Sequence, residues 1–152
     1  MKPPFLYEAD AISDVLNSIS EIGSKNLTHC ISINPVHIQK FTLVEYLFER
    51  GEFRPPWLWS VIEALKRGHK LLQNTGIRLL SSPTAAGTTR GAHNCKNCDG
   101  TVLQAINEFS MNNDSDILNN LYCDCYNDWL DVINLENCVK SIIEPIPKDA
   151  WH

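Results

Sequence analysis

Four cysteines arrive as two tight pairs, Cys95-Lys96-Asn97-Cys98 and Cys123-Asp124-Cys125, with 24 residues between them. One C-x-x-C and one C-x-C supply the thiolates of a closed tetrahedral metal site, which would staple the intervening helix and its return. Disulfides and a C-x-x-C redox pair compete for the same residues. The start, Met1-Lys2-Pro3-Pro4, lacks the apolar stretch of a secretory signal, so reduced thiols and a cytoplasmic location are expected. Redox pairs usually open a helix after a strand, whereas a polar loop rich in Gly and Thr precedes Cys95. Metal is the preferred reading. Zinc in a structural site of Cys95, Cys98, Cys123 and Cys125 is the expected ion, and an iron–sulfur cluster is the rival. His93 is a further candidate, as a ligand or as a neighbour of one.

The rest of the chain is ordinary by composition. It has 152 residues, 43% hydrophobic and 20% charged, enough for one domain or one core with a small appendage. A formal charge of -5 gives no overall signal for nucleic acid, though a local patch can act against the mean. No run of eighteen apolar residues exists, so no membrane-spanning helix is expected.

Periodicity outlines an α/β beginning. Ile12, Val15, Leu16, Ile19 and Ile22 mark a helix from Glu8 to Ile22, which Gly23-Ser24 should stop. Ile31 and Ile33 alternate with polar residues through a strand from Thr28 to Asn34, ended by Pro35. Leu43, Tyr46 and Leu47 form the inner face of a helix over Thr42 to Arg50. Leu58, Val61, Ile62 and Leu65 give the next helix a buried stripe, and a second strand covers Ile77 to Leu80. A flexible loop runs from Ser81 to Ala92. Helices then follow over Val102 to Phe109, with Asp99 as cap, Asp114 to Leu121 and Trp129 to Val139. The tail around Glu144-Pro145-Ile146-Pro147 is expected to be extended. The chain thus divides into residues 1-83, an α/β segment, and residues 84-152, a small helical Cys-rich metal-binding region. Two strands cannot close a barrel that needs about eight, so they belong to a larger sheet.

Other residues carry weaker signals. Asn34 ends its strand, where βα proteins place ligand groups, but an Asn-Pro turn is an equal explanation. Trp57 and Trp59 beside Arg54 are suited either to stacking on a base or to the core. Arg90 and Lys96 form a small basic cluster. Cys30 and Cys138 are expected to pack inside, and Glu45 to lie on a solvated helix face.

Three stretches, covering nearly the whole chain, resemble a known family. They are Lys2-Pro3-Pro4-Phe5-Leu6, then Ser32-Ile33-Asn34-Pro35-Val36-His37-Ile38-Gln39 with Thr42-Leu43-Val44-Glu45-Tyr46-Leu47 and Arg54-Pro55-Pro56-Trp57-Leu58-Trp59-Ser60, and finally Arg90-Gly91-Ala92-His93-Asn94-Cys95 through Cys98-Asp99 to Cys123-Asp124-Cys125. Together they resemble the C-terminal part of the radical S-adenosylmethionine enzymes that make archaeosine in archaeal tRNA. The resemblance implies the later part of a partial βα barrel, with Asn34, Val36 and Gln39 contacting S-adenosylmethionine. It also implies a [4Fe-4S] cluster on a C-x-x-x-C-x-x-C motif, which this sequence lacks. The cluster would then sit in an N-terminal half, and the chain would be a fragment or a split-gene product, inactive alone. The implied reaction cleaves a lysine C–N bond on a 7-deazaguanine already in tRNA, alongside a partner that transfers the lysine. A non-enzymatic, zinc-stabilised module that binds nucleic acid or protein is the alternative.

Overall fold

The structure, a computed structural model, describes residues 1–26 and 28–142. Helix α1 spans Glu8–Lys25 and strand β1 spans Cys30–Ser32. Helices α2 (Leu43–Glu49) and α3 (Leu58–Leu72) lead to strand β2 (Arg78–Leu80). Helix α4 (Asp99–Asn112), a 3-10 turn at Ser115–Leu118 and helix α5 (Cys125–Ile142) complete it. The expected Glu144–Pro147 tail lies outside the described residues.

Helix α1 begins with Glu8 and Asp10 in its first turn, where the helix dipole favours negative charge. It does not stop at Gly23. The helix continues to Lys25, and Asn26 takes the left-handed conformation that closes it. Gly23 lies inside because a Cβ there would come within 2.9 Å of Leu72 Cδ2, so its small size serves the close approach of α1 to α3. Thr42 caps α2 by accepting from the Glu45 amide, and the Glu45 carboxylate reaches back to the Phe41 amide at 2.7 Å, a variant of the capping box. Leu47 is buried there, but Leu43 and Tyr46 face solvent. In α3 the expected stripe of Leu58, Val61, Ile62 and Leu65 is buried. The stretch after α4 forms a single 3-10 turn, its Asp114 side chain accepting from the Asp116 amide. Helix α5 starts earlier than its periodicity suggested, at Cys125.

β1 and β2 pair in parallel with Ile31 opposite Leu79. Side chains alternate across a strand, and the two faces differ sharply. Ile33 and Leu79 are buried in the same core as α1 and α3, while Cys30, Ser32 and Arg78 on the opposite face are exposed. The expectation that Cys30 packs inside therefore fails, because among the described residues no layer covers its face of the strand. Cys138 is also exposed. It follows the buried Trp129 by nine positions, which is half a turn out of phase on a helix of 3.6 residues per turn.

One hydrophobic core draws on both sides of residue 83: Ile19, Leu65 and Leu79 share it with Val102, Phe109, Leu118 and Trp129. A buried polar chain crosses the same interface. Lys2 Nζ donates to Glu8 Oε1 at 2.6 Å, Ser60 Oγ donates to Glu8 Oε2 at 2.5 Å, and Trp129 Nε1 donates to Ser60 Oγ at 2.9 Å. A satellite cluster of Ile38, Leu47 and Phe53, with Val36, Val44 and Phe48, sits around α2. No helix among the described residues is long and apolar enough to cross a membrane.

Candidate metal centre

The two cysteine pairs meet where α4 and α5 begin. Cys98 is the N-cap of α4 and Cys125 is the first residue of α5, so two thiols lie at the positive ends of helices, which favour anions. Cys95 precedes a tight turn in which Lys96 adopts φ 72°. That turn aims the Asn97 and Cys98 amides at the Cys95 sulfur. On the other side, Tyr126 N donates to Cys123 O at 2.9 Å, which folds the C-x-C into the helix start.

The sulfurs converge. Cys95 Sγ is 3.8 Å from Cys98 Sγ and 3.6 Å from Cys123 Sγ, and Cys98 Sγ is 3.6 Å from Cys125 Sγ. All four ligand atoms lie within 4.8 Å of one another. Zinc–sulfur bonds of about 2.3 Å in a tetrahedron put the sulfurs about 3.8 Å apart. The donor set therefore fits one ion at its centre, and four close thiolates can bind a metal such as zinc. A four-iron cluster would hold its thiolates further apart, at the corners of a larger body. His93 is not in this group; its Nδ1 is 2.8 Å from Gly91 O, and burial pushes its pKa down, so its ring is neutral at neutral pH.

Surrounding groups shape the thiols unequally. Trp59 Nε1 donates to Cys125 Sγ at 3.3 Å and Asn94 Nδ2 to Cys98 Sγ at 3.4 Å. Burial raises Cys98 and Cys125, and these donors only partly oppose it. Burial also acts on Cys95, but hydrogen bonds from the Cys98 amide, the Cys125 and Cys123 thiols and the Asn97 amide outweigh it and bring the thiol to about 7. Cys95 is thus the thiol that its neighbours push down, while burial pushes Cys98 and Cys125 up. A bound cation would draw the remaining protons off. Asp99 is buried behind the site, with Oδ1 accepting from Asn94 N at 2.9 Å. It serves the loop before α4 in this way, whereas a cap would accept from α4's own amides.

The loop carrying the first pair is tied down from several sides. Arg54 donates to His93 O at 3.0 Å and to Pro55 O at 2.9 Å, with its guanidinium 4.1 Å from the Trp57 ring centroid. Trp59 is 2% exposed and meets Tyr126 edge-on at 5.3 Å. Its role is core and thiolate donor, which sequence reading left as core against base stacking. Arg90 binds Glu45 Oε1 at 2.5 Å and Ile38 O at 3.2 Å. Glu45 is therefore an ion-paired group with 16% side-chain exposure, and the solvated face expected for it is not found.

Asn34, Val36 and Gln39 lie apart from the cysteines in sequence and take three different surroundings. The Asn34 amide bridges the strand ends, accepting from Ser82 N at 3.2 Å and donating to Ser32 Oγ at 3.1 Å. Val36 packs against the satellite cluster. Gln39 is exposed, 3.2 Å from His37 Nε2.

No family model matches the chain, and no solved structure does. Curated sequences do. The chain is 39% identical over 137 residues to archaeosine synthase subunit beta of Methanosarcina acetivorans, covering 90% of this chain and 38% of that protein. It is 42% identical over 130 residues to archaeosine synthase subunit beta of Thermococcus kodakarensis, covering 85% of this chain and 39% of that protein. An uncharacterized protein of Methanocaldococcus jannaschii is 32% identical over 148 residues, with 94% and 38% covered. The chain is thus similar along nearly all its length to these proteins, and spans less than two-fifths of theirs.

Proposed function

We propose that this chain is a metal-stabilised part of an archaeosine-forming tRNA-modification enzyme. The observation that carries the reading is the identity of 39% and 42% to two archaeosine synthase beta subunits across most of this chain. The reaction is then the radical S-adenosylmethionine cleavage of the lysine C–N bond on a 7-deazaguanine in tRNA, which leaves the formamidine of archaeosine. The word beta in the relatives' names fits a second subunit, here the one that attaches the lysine.

Within that enzyme the chain's own residues have restricted roles. Cys95, Cys98, Cys123 and Cys125 hold zinc as a closed structural site, with no open position for substrate. The zinc supplies cross-linking of the α4 and α5 starts. Asn34, Val36 and Gln39 are the candidate contacts to S-adenosylmethionine, Asn34 by its place at the carboxyl end of β1. The sequence contains no C-x-x-x-C-x-x-C, and the four clustered cysteines do not fit a four-iron cluster. The radical-generating cluster is accordingly assigned to a part of the enzyme outside these residues. A sheet whose second face is exposed at Cys30, Ser32 and Arg78 among the described residues supports the barrel reading, since open parallel sheets are covered on both faces whereas a barrel turns one face inward.

The test is reconstitution. Co-expressed with the remainder of a relative's beta subunit, the chain should give S-adenosylmethionine cleavage to 5′-deoxyadenosine and archaeosine on tRNA bearing the lysine-modified base. Absence of 5′-deoxyadenosine from a correctly loaded complex would leave the alternative, a zinc-stabilised module that binds nucleic acid or protein. Elemental analysis should give about one zinc per chain, and stoichiometric iron at the four cysteines would overturn the metal assignment.

A further inference from the structure

The segment before α1 turns sharply and holds one aromatic ring out of the fold. Leu6 N donates to Pro3 O at 3.4 Å, which closes a turn with Pro4 in second place and Phe5 in third. Phe5 takes φ 72°. Proline second with a positive φ third is the pattern of a type II turn, whose third place suits glycine. A phenylalanine there strains the backbone, and its ring is 84% exposed. Packing among the described residues therefore gives no reason for an aromatic side chain at this position.

Phe5 lines a cavity of about 400 Å³ between this turn and the segment after α2, a volume within the range of small-molecule sites. Tyr7, half exposed, and Phe53, buried, are the other rings in its wall. The polar groups there carry both signs: Lys2 and Arg54 as donors, Glu52 and Glu136 as acceptors. The donors are fixed in place. Lys2 Nζ is held by Glu8 Oε1 at 2.6 Å and lies 5.8 Å from the Phe53 centroid, and Arg54 is held by His93 O and Pro55 O. A phosphate is a poor occupant, because two carboxylates line the cavity and Glu136 already takes the first amides of α1, Glu8 N and Ala9 N, each at 3.1 Å. A wholly apolar side chain is a poor one too, since it would cover charged groups without answering them. A nucleobase suits both parts of the lining. Its faces stack on aromatic rings, and its edge carries donors and acceptors together.

We infer that the cavity beside Phe5 takes an unpaired nucleobase of single-stranded RNA, stacked on the Phe5 and Tyr7 rings with its edge toward the charged groups. The inference rests on the proposed function only for RNA as the source of the base. The base is one other than the reacting 7-deazaguanine, because Asn34, Val36 and Gln39, the candidate S-adenosylmethionine contacts, do not line this cavity. The strained turn then has a use, since it carries the Phe5 ring clear of the core to meet an entering base.

The test measures, by fluorescence anisotropy at low salt, binding of the full chain to a labelled single-stranded RNA of mixed sequence, about ten nucleotides long. Loss of one stacked base lowers affinity about 5- to 150-fold, so Phe5→Gly should weaken binding at least about fivefold. Glycine suits the positive φ, and the same variant should melt no lower than the native chain; a ring that served the fold would lower the melting temperature as well. Phe5→Trp keeps a stacking face and should bind within about threefold of the native chain. So should Phe41→Ala, which removes a ring 99% exposed but outside this cavity. The same RNA annealed into a duplex should bind at least about fivefold more weakly, its bases being stacked inside. No binding of the single strand, equal losses in Phe5→Gly and Phe41→Ala, or a loss in Phe5→Gly that comes with a lowered melting temperature overturns the inference. Displacement of the RNA by micromolar adenosine makes the cavity a free-nucleoside site and overturns it too. A reconstituted enzyme that forms archaeosine while Phe5→Gly keeps the native RNA affinity overturns it and leaves the proposed function standing.

Discussion

Replacing Trp59 by Phe tests whether the cysteine cluster is a tuned thiolate site. The indole N–H donates to Cys125 Sγ at 3.3 Å, and the ring is 5.3 Å from Tyr126 in an edge-on contact. A phenyl ring keeps much of that packing and removes the donor. A hydrogen bond to a charged acceptor contributes about 1.5–3 kcal/mol. At about 1.4 kcal/mol per tenfold, zinc affinity should fall about 10- to 100-fold. The bond opposes the burial that raises Cys125, so its loss raises that thiol further. Protons compete with metal for thiolates, and the deficit should widen as pH falls. Competition against a chromophoric zinc chelator at two pH values measures both effects. Trp129→Phe is the control, because its indole donates to Ser60 Oγ at 2.9 Å. It should cost about 1–3 kcal/mol of stability yet hold zinc within about threefold of the native affinity. A Trp59→Phe affinity within that same range, or equal losses in both variants, would refute the reasoning.

Three further outcomes follow from the packing. Glu8→Ala strands the Lys2 ammonium, whose side chain is only 11% exposed, and should cost about 3–5 kcal/mol in urea unfolding; a cost under about 1 kcal/mol would mean the pair contributes little. Gly91→Ala should lose about 3 kcal/mol, read as a lowered melting temperature, because its Cβ would stand 2.2 Å from Ala85 O, a backbone atom. The Arg90 hydrogen bond, helped by the Phe41 amide, lowers the Glu45 pKa. A carboxylate depressed in the folded state stabilises above its unfolded value, and that contribution is lost as pH falls through the folded one. Stability measured on acidification should therefore decline less steeply in Glu45→Gln, and an unchanged slope would count against the tether.

How much was legible in the sequence depends on how far apart the interacting residues lie. The spacing of Cys95, Cys98, Cys123 and Cys125 was sufficient to single them out, because each pair is a local turn and thiolate chemistry admits few alternatives. The stripe of α3 was equally plain, since a helix repeats within a few residues. Errors arose where a local preference met a distant neighbour. Gly23 reads as a stop, yet Leu72 across the α1–α3 contact makes it a place for a small residue inside the helix. Leu43 and Tyr46 read as inward-facing, yet the satellite cluster takes only Leu47 from that turn as buried. Cys30 alternates with isoleucines as a buried residue would, but among the described residues no layer covers its face of the sheet.

The sequence by itself determined the chemistry of the four cysteines and the order of helices and strands, both of which rest on residue type and short-range periodicity. Only the tertiary structure decided what surrounds them. Trp59 and Cys125 are 66 residues apart, and their hydrogen bond exists because the start of α3 meets the start of α5. Ser110 and Asn113 close one edge of the sheet 29 and 34 residues from their partners. A donor or a cap is a property of which surfaces meet, and that is set by burial of the shared core.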